Sequence, residues 1–163
     1  MNISENSRIW IYQSDRVLNS VEQQQIQQIL DTFTAGWLAH GHQLAAQAEI
    51  FHQRFIILSV DEQVAGATGC SIDKSVKLLQ DIENQFHINL FDRFLIAYRN
   101  GSSIQSCNRQ EFEKLIENGS VTSETIVFNN MLTKRFEIKD KWEVALKDSW
   151  HAKVFQVSVA QNT

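Results

Sequence analysis

Between Arg8 and Arg99 two amphipathic helical stripes are interleaved with short β-type runs, and this alternation limits the fold more than any other feature of the chain. Arg8-Ile-Trp-Ile-Tyr-Gln13 alternates Ile9 and Ile11 with Trp10 and Tyr12, which predicts a strand. Ser20-x-x-Gln23 has the form of a capping box. Behind it Ile26, Ile29, Leu30, Phe33 and Trp37 fall at i, i+3, i+4, i+7 and i+11, one stripe of a helix expected to run to about His40-Gly41. Its other face carries Gln24, Gln25, Gln27, Gln28 and Asp31 and reads as solvated. Extended stretches follow around Ala48–Phe51 and Phe55–Val60, the second apolar enough for an interior strand. Gly66 and Gly69 then interrupt the chain before a second helix with Ser71 as the expected N-cap and Ile72, Val76, Leu79, Ile82 and Phe86 as its stripe.

Phe94–Tyr98 reads as another strand, and Asn100-Gly101 before Ser102–Cys107 predicts a hairpin through a type I′ turn. Asn108-x-x-Glu111 caps a third helix that buries Phe112, Leu115 and Ile116, and Gly119 ends it. Thr125–Phe128 is a further strand. Beyond Asn129 the pattern divides: Trp142, Val144 and Leu146 suit an extended piece, Leu146, Trp150 and Val154 a helix. Gln161–Thr163 is expected to fray. The expected architecture is α+β, a single domain over residues 1–163. Its ferredoxin-like β-α-β-β-α-β core covers about 8–99, and a hairpin strand with a C-terminal α/β extension covers about 100–157. Such a class hosts enzymes, carriers and binding modules, so it does not name a function.

Charge and composition narrow the field. Fifteen Lys+Arg against nineteen Asp+Glu leave a formal charge of −4, with no basic block, so nucleic acid is not an expected partner. The longest apolar run, Phe55–Leu58, is far short of the roughly 18–20 residues of a membrane span. Residues 1–7 lack the basic and apolar regions of a signal peptide, and a cytoplasmic location is expected. Cys70 and Cys107 are too few for a disulfide framework or a four-cysteine zinc site.

Several segments together carry a resemblance. They are Trp10-Ile-Tyr-Gln-Ser-Asp-Arg16, Trp37-Leu-Ala-His-Gly41, Arg54-Phe-Ile-Ile-Leu58, Val60-Asp-Glu62 and Gly69-Cys-Ser-Ile-Asp-Lys-Ser75. Leu90-Phe-Asp-Arg93, Thr125-Ile-Val-Phe-Asn-Asn130 and Ser149-Trp-His151 complete the set. Over roughly residues 8–151 the chain resembles a bacterial family of small proteins whose members often carry the label "ABC transporter ATPase". The label implies nucleotide binding, and the residues can be read against it. A Walker A loop, G-x-x-x-x-G-K-[ST], wraps phosphates in backbone N–H groups. Gly69–Ser75 lacks the second glycine, is one residue short and places Asp73 before Lys74. Ile56–Glu62 imitates a Walker B strand but precedes the loop instead of following it. ATP hydrolysis is therefore not expected.

Four constellations could carry chemistry. Cys70 stands at the start of the second helix, where the dipole favours a thiolate, and is the weak candidate for a nucleophile. Gly69, Cys70, Ser71 and Lys74 form a candidate site for a small anion: N–H groups at the helix start, a glycine that allows close approach, and a positive charge one turn on. Asp73 and the Ser71 hydroxyl compete for those donors, so binding no tighter than about millimolar is expected. Asp61, Glu62 and Asp73 are candidates for acid/base work if folding gathers them. His40-Gly41-His42, with His52 or Asp61, invites a metal reading, but the pair more naturally marks a helix end, and no metal or cofactor is expected.

The first reading of function is a non-enzymatic domain that binds a protein partner or a small ligand, as a homodimer. It rests on the lack of a complete catalytic motif and on an open-edged sheet. The alternative is a small enzyme built on Cys70 or on Asp61, Glu62 and Asp73.

Overall fold

The computed structural model describes residues 2–156. These residues are mixed helix and strand with antiparallel pairing in every sheet, the α+β class that the sequence predicts. They divide into two compact units, Met1–Phe91 with Leu132–Phe136, and Asp92–Met131 with Glu137 onward. No helix among the described residues is long and apolar enough to cross a membrane. The fraying expected of Gln161–Thr163, and residue 157 of the expected extension, lie outside the described residues.

The first unit is built on β1 (Arg8–Gln13), β4 (Ala46–Phe51) and β5 (Phe55–Val60), in the order β1-β5-β4. Helices α1 (Ser20–Ala35) and α2 (Gly69–Phe86) cover one face. Ile26 and Leu30 of α1 and Leu79, Ile82 and Phe86 of α2 meet Ile56, Leu58 and Val60 of β5 in one core cluster. β5 is buried along its whole length, as an apolar central strand should be. The two edges differ. Along β1 the chain returns to close the edge: Ile9 N–H donates to Thr133 C=O at 3.0 Å, Arg135 N–H to Ser7 C=O at 2.9 Å, and Arg8 bridges Lys134. Among the described residues β4 pairs only with β5.

The helix boundaries depart from the sequence reading in ways that local chemistry explains. Asn19, not Ser20, caps α1: its side chain accepts the Glu22 N–H at 2.8 Å while the Glu22 carboxylate accepts the Asn19 N–H at 3.0 Å. A carboxylate at the third position also meets the positive helix end, which a glutamine cannot do. α1 stops at Ala35 with Gly36 as C-cap, well before His40-Gly41. Trp37 thereby leaves the helix; it is 1 % exposed in the core and donates its indole N–H to Ser71 C=O at 2.8 Å. His40 and Gly41, at φ 51° and 79°, turn the small hairpin of β2 (Leu38–Ala39) and β3 (His42–Gln43), so the pair marks a hairpin and not a helix end. Thr68, not Ser71, caps α2. The deepest positions of that helix are Ser71, Ser75, Leu79, Ile82 and Phe86, so Ile72 and Val76 are only half-buried.

The second unit contains a four-stranded sheet, β7-β6-β8-β9, from β6 (Ile96–Asn100), β7 (Ser103–Cys107), β8 (Ile126–Phe128) and β9 (Glu143–Ala145). α3 (Arg109–Glu117) is capped by Asn108, as its sequence predicts, and buries Phe112 against Ile96, Cys107, Val121, Val127 and Leu146. Gly119 takes φ 81° just past its end. The hairpin is present one residue later than expected: Asn100 pairs with Ser103, leaving Gly101-Ser102 as the turn. A positive φ of 64° at Gly101 with none at Ser102 is the II′ pattern, not I′. The divided C-terminal signal resolves into both forms, β9 followed by a one-turn α5 (His151–Val154); a further single turn, α4 (Ile138–Lys141), precedes β9.

The ferredoxin-like pattern is thus not completed in the first unit. Its fourth strand, expected over Phe94–Tyr98, is β6 and pairs with β7 and β8. The edge of β1 that such a strand would occupy is taken by residues 133–135.

Candidate functional site

At the start of α2 the helix caps itself. The Thr68 hydroxyl accepts the Ser71 N–H at 3.2 Å, and the Ser71 hydroxyl accepts the Thr68 N–H at 2.7 Å while donating to Thr68 C=O at 2.8 Å. Ile72 N–H is bonded to Thr68 C=O at 2.9 Å. Two of the donors expected to serve an anion, those of Ser71 and Ile72, therefore have internal partners. The third, Asp73, lies beyond the first turn because the helix begins two residues before Ser71. Gly69, Cys70, Asp73 and Lys74 are exposed. The Cys70 thiol is exposed and has no hydrogen-bond partner among the described residues, whereas an activated nucleophile is bonded to its base.

The carboxylates and histidines are also held apart. Asp61 accepts the Gln63 N–H at 3.1 Å and shapes the turn after β5. Glu62 accepts the Ala67 N–H at 3.0 Å and lies 3.8 Å from Arg8. His42 is exposed on β3, and His52 sits at φ 52° in the β4–β5 turn against Phe55. Among the described residues no group of three or more His, Cys, Asp or Glu side chains could hold a metal ion. His151 is 2 % exposed, and burial pushes its pKa down to about 4. Cys107 is buried, and burial together with the Glu111 carboxylate pushes its thiol up to about 11.

A built concavity lies elsewhere in the first unit, along the outer edge of β4. Phe51 C=O accepts from Arg54 and Ala45 C=O from Asp61, so the odd-numbered residues turn their backbone groups toward β5. By the two-residue period of a strand, Ala46, Ala48 and Ile50 turn theirs outward. Gln27 of α1 confirms this orientation, donating its side-chain N–H to Ala48 C=O at 2.9 Å and to the Asp31 carboxylate at 2.8 Å. The groove beside this edge has a volume of about 790 Å³ and is walled by residues 45–51, by Gln27, Asp31 and Thr34 of α1, by residues 2–4 and by Asp61. A shallower cleft over Gln23, Gln24 and Gln28 shares Gln27, Asp31 and Ile50 with it.

Among the described residues the charge of the groove has one sign. Its walls carry Asp31, Glu49 and Asp61 and no lysine or arginine. Glu49 is neutralised from outside the groove by Arg135, at 2.8 and 3.3 Å, and that guanidinium also donates to the Ser59 hydroxyl at 3.1 Å. Asp31 and Asp61 form no ion pair among the described residues. Sequence reasoning placed Gln27 and Asp31 on a solvated helix face and so missed them as groove walls. The available signal was an amide-rich helix face carrying the acid Asp31, in a chain expected to have an open-edged sheet.

The fold and this groove describe an α+β domain with an accessible strand edge. No protein-family model, curated protein or solved structure matches the chain.

Proposed function

We propose that the protein is a non-enzymatic binding domain, acting in the cytoplasm, whose β4 edge receives an extended, positively charged segment of a partner protein. The observation that carries this reading is the groove beside Ala46, Ala48 and Ile50, with outward backbone groups and acidic walls. A strand added to a sheet edge gains main-chain hydrogen bonds, and its alternate side chains meet the flanking pockets. The Gln28 amide can donate to or accept from such a chain, Gln27 offers its carbonyl oxygen while its N–H groups hold Ala48 and Asp31, and Asp31 favours Lys or Arg at the facing position. The opposite edge is already occupied by residues 133–135, so β4 is the edge of this sheet left for a partner.

We take the chain to be related to the small bacterial proteins it resembles, and expect no ATP turnover from it. The start of α2 uses the N–H groups of Ser71 and Ile72 within its own cap, which leaves Lys74 without the backbone cradle that phosphates need.

The test is a titration with a peptide of alternating Lys and Val, and with its Glu-Val counterpart, followed on the backbone amides. The Lys-Val peptide should move Ala46, Ala48, Ile50 and the Gln27 side-chain amide, and the effect should weaken as salt rises. Asp31→Asn should weaken binding roughly three- to tenfold. Equal binding of both peptides, or responses confined to the start of α2, would overturn the reading. So would a doubling of mass with the same amides perturbed in the absence of peptide, which would assign the edge to a second copy of the chain.

A further inference from the structure

The first unit holds a buried cation that none of its described residues neutralises. Ser14 N–H donates to Arg54 C=O at 2.7 Å, which carries the β1–β5 pairing one residue past Gln13↔Phe55. By the strand period Arg54 shares its face with Ile56 and Leu58, both sealed in the core between α1 and α2. The side chain is correspondingly enclosed, at 5 % exposure. Its Nε and Nη1 are beneath the surface and have no hydrogen-bond partner among the described residues. Acids in the adjoining segment are committed elsewhere: Asp15 accepts the Asn89 N–H at 3.0 Å, and Glu22 is forked by Arg16 at 2.9 and 2.7 Å.

A guanidinium differs from every other basic side chain in this position. Burial pushes the pKa of Arg54 down, but an arginine starts so high that it keeps its proton throughout the physiological range. A lysine or histidine would shed its charge instead. A buried guanidinium can only be satisfied by acceptors, and those of highest affinity are oxyanions held by two parallel N–H groups. Nη2 is the nitrogen outside the sealed pair, and it belongs to both forks that a guanidinium offers, with Nε on one side and with Nη1 on the other.

We infer that Arg54 is the receiving group of a small-oxyanion site, taking a carboxylate or a phosphate-type anion that approaches at Nη2 and is closed upon by Nε or Nη1. The site is distinct from the β4 groove, none of whose walls is Arg54. It also differs from the start of α2, where the competing hydroxyls are already in place.

The experiment is a titration of labelled protein with sodium phosphate, sodium sulfate and sodium acetate, each against sodium chloride at matched ionic strength, with the Arg54 Nε–H resonance and Tm as readouts. Saturable movement of that resonance by at least one oxyanion, with a rise in Tm that chloride does not give, is the expected result. Phosphate and sulfate acting without acetate would assign a tetrahedral anion, and acetate alone a carboxylate. In Arg54→Met the oxyanion-specific rise in Tm should vanish. An Arg54 resonance that stays still, or moves equally with chloride, overturns the site on wild-type protein alone, whether or not the variant folds.

Discussion

The two thiols illustrate how far single residues can differ within one short chain. Cys70 is exposed at the second position of α2, whereas Cys107 is buried beside Phe112 and its thiol is held near 11. At pH 8 a disulfide reagent should therefore modify one thiol per chain rapidly. That phase should disappear in Cys70→Ser, and Cys107 should react only on unfolding. His151 sets a second residue-scale expectation. The folded protein holds it neutral down to about pH 4, while the unfolded chain takes up a proton near 6.5. The unfolded state thus binds more protons in that window. The contribution is intact above pH 6.5 and is lost as pH falls toward 4. Urea unfolding at pH 7.5 and 4.5 should show wild type losing about 2–3 kcal/mol more than His151→Leu.

At the scale of elements, the helix ends are where small changes are most readable. Asn19 and Glu22 satisfy each other across the first turn of α1, and Arg16 forks the same carboxylate. The Arg16 hydrogen bonds, and then the Asn19 N–H, hold the Glu22 carboxyl down at about 2. Its contribution is present above the ordinary 4.5 and fades as pH falls toward 2. Asn19→Ala should lower stability by about 1 kcal/mol at neutral pH. At the other end of α2, His87 closes the helix at φ 55° and ψ 52°, a conformation that suits glycine. His87→Gly should raise stability by about 0.5–1 kcal/mol, measured by the same unfolding curves. These ends also show what a sequence exposes and what it withholds. Strands β1 and β5, the third helix and the hairpin were legible because alternation, an unbroken apolar run, Asn108-x-x-Glu111 and Asn-Gly are local signals. Caps shifted by one to three residues, since Ser20 and Ser71 had neighbours, Asn19 and Thr68, able to do the same work. The partner of β6 was not legible, because pairing depends on which edge is vacant when the chain has folded. Gln27 and Arg54 were hidden for a related reason: amides on a helix and an arginine at a turn look solvated until the tertiary neighbours are known.

At the scale of the whole molecule, the chain crosses between its two units more than once, since Leu132–Phe136 belongs with Met1–Phe91. Arg135 is the anchor of that return, bonded to Glu49, Ser59 and, through the backbone, Ser7. Removing it leaves Glu49 without its cation on a half-buried strand. Arg135→Ala should cost about 2 kcal/mol and expose the β1 edge, seen as faster hydrogen exchange at Ile9. The same return has a consequence for the order of events during synthesis. A ribosome releasing this chain from its N-terminus delivers α1, α2 and all three strands of the first sheet long before it delivers Thr133 and Arg135. For the time needed to make some forty further residues, at about 5–20 per second, β1 must wait with its edge unprotected. A nascent chain arrested near residue 100 would then expose both edges of the first sheet, where among the described residues of the finished protein that sheet keeps only the β4 edge open, and would be the form most in need of a chaperone.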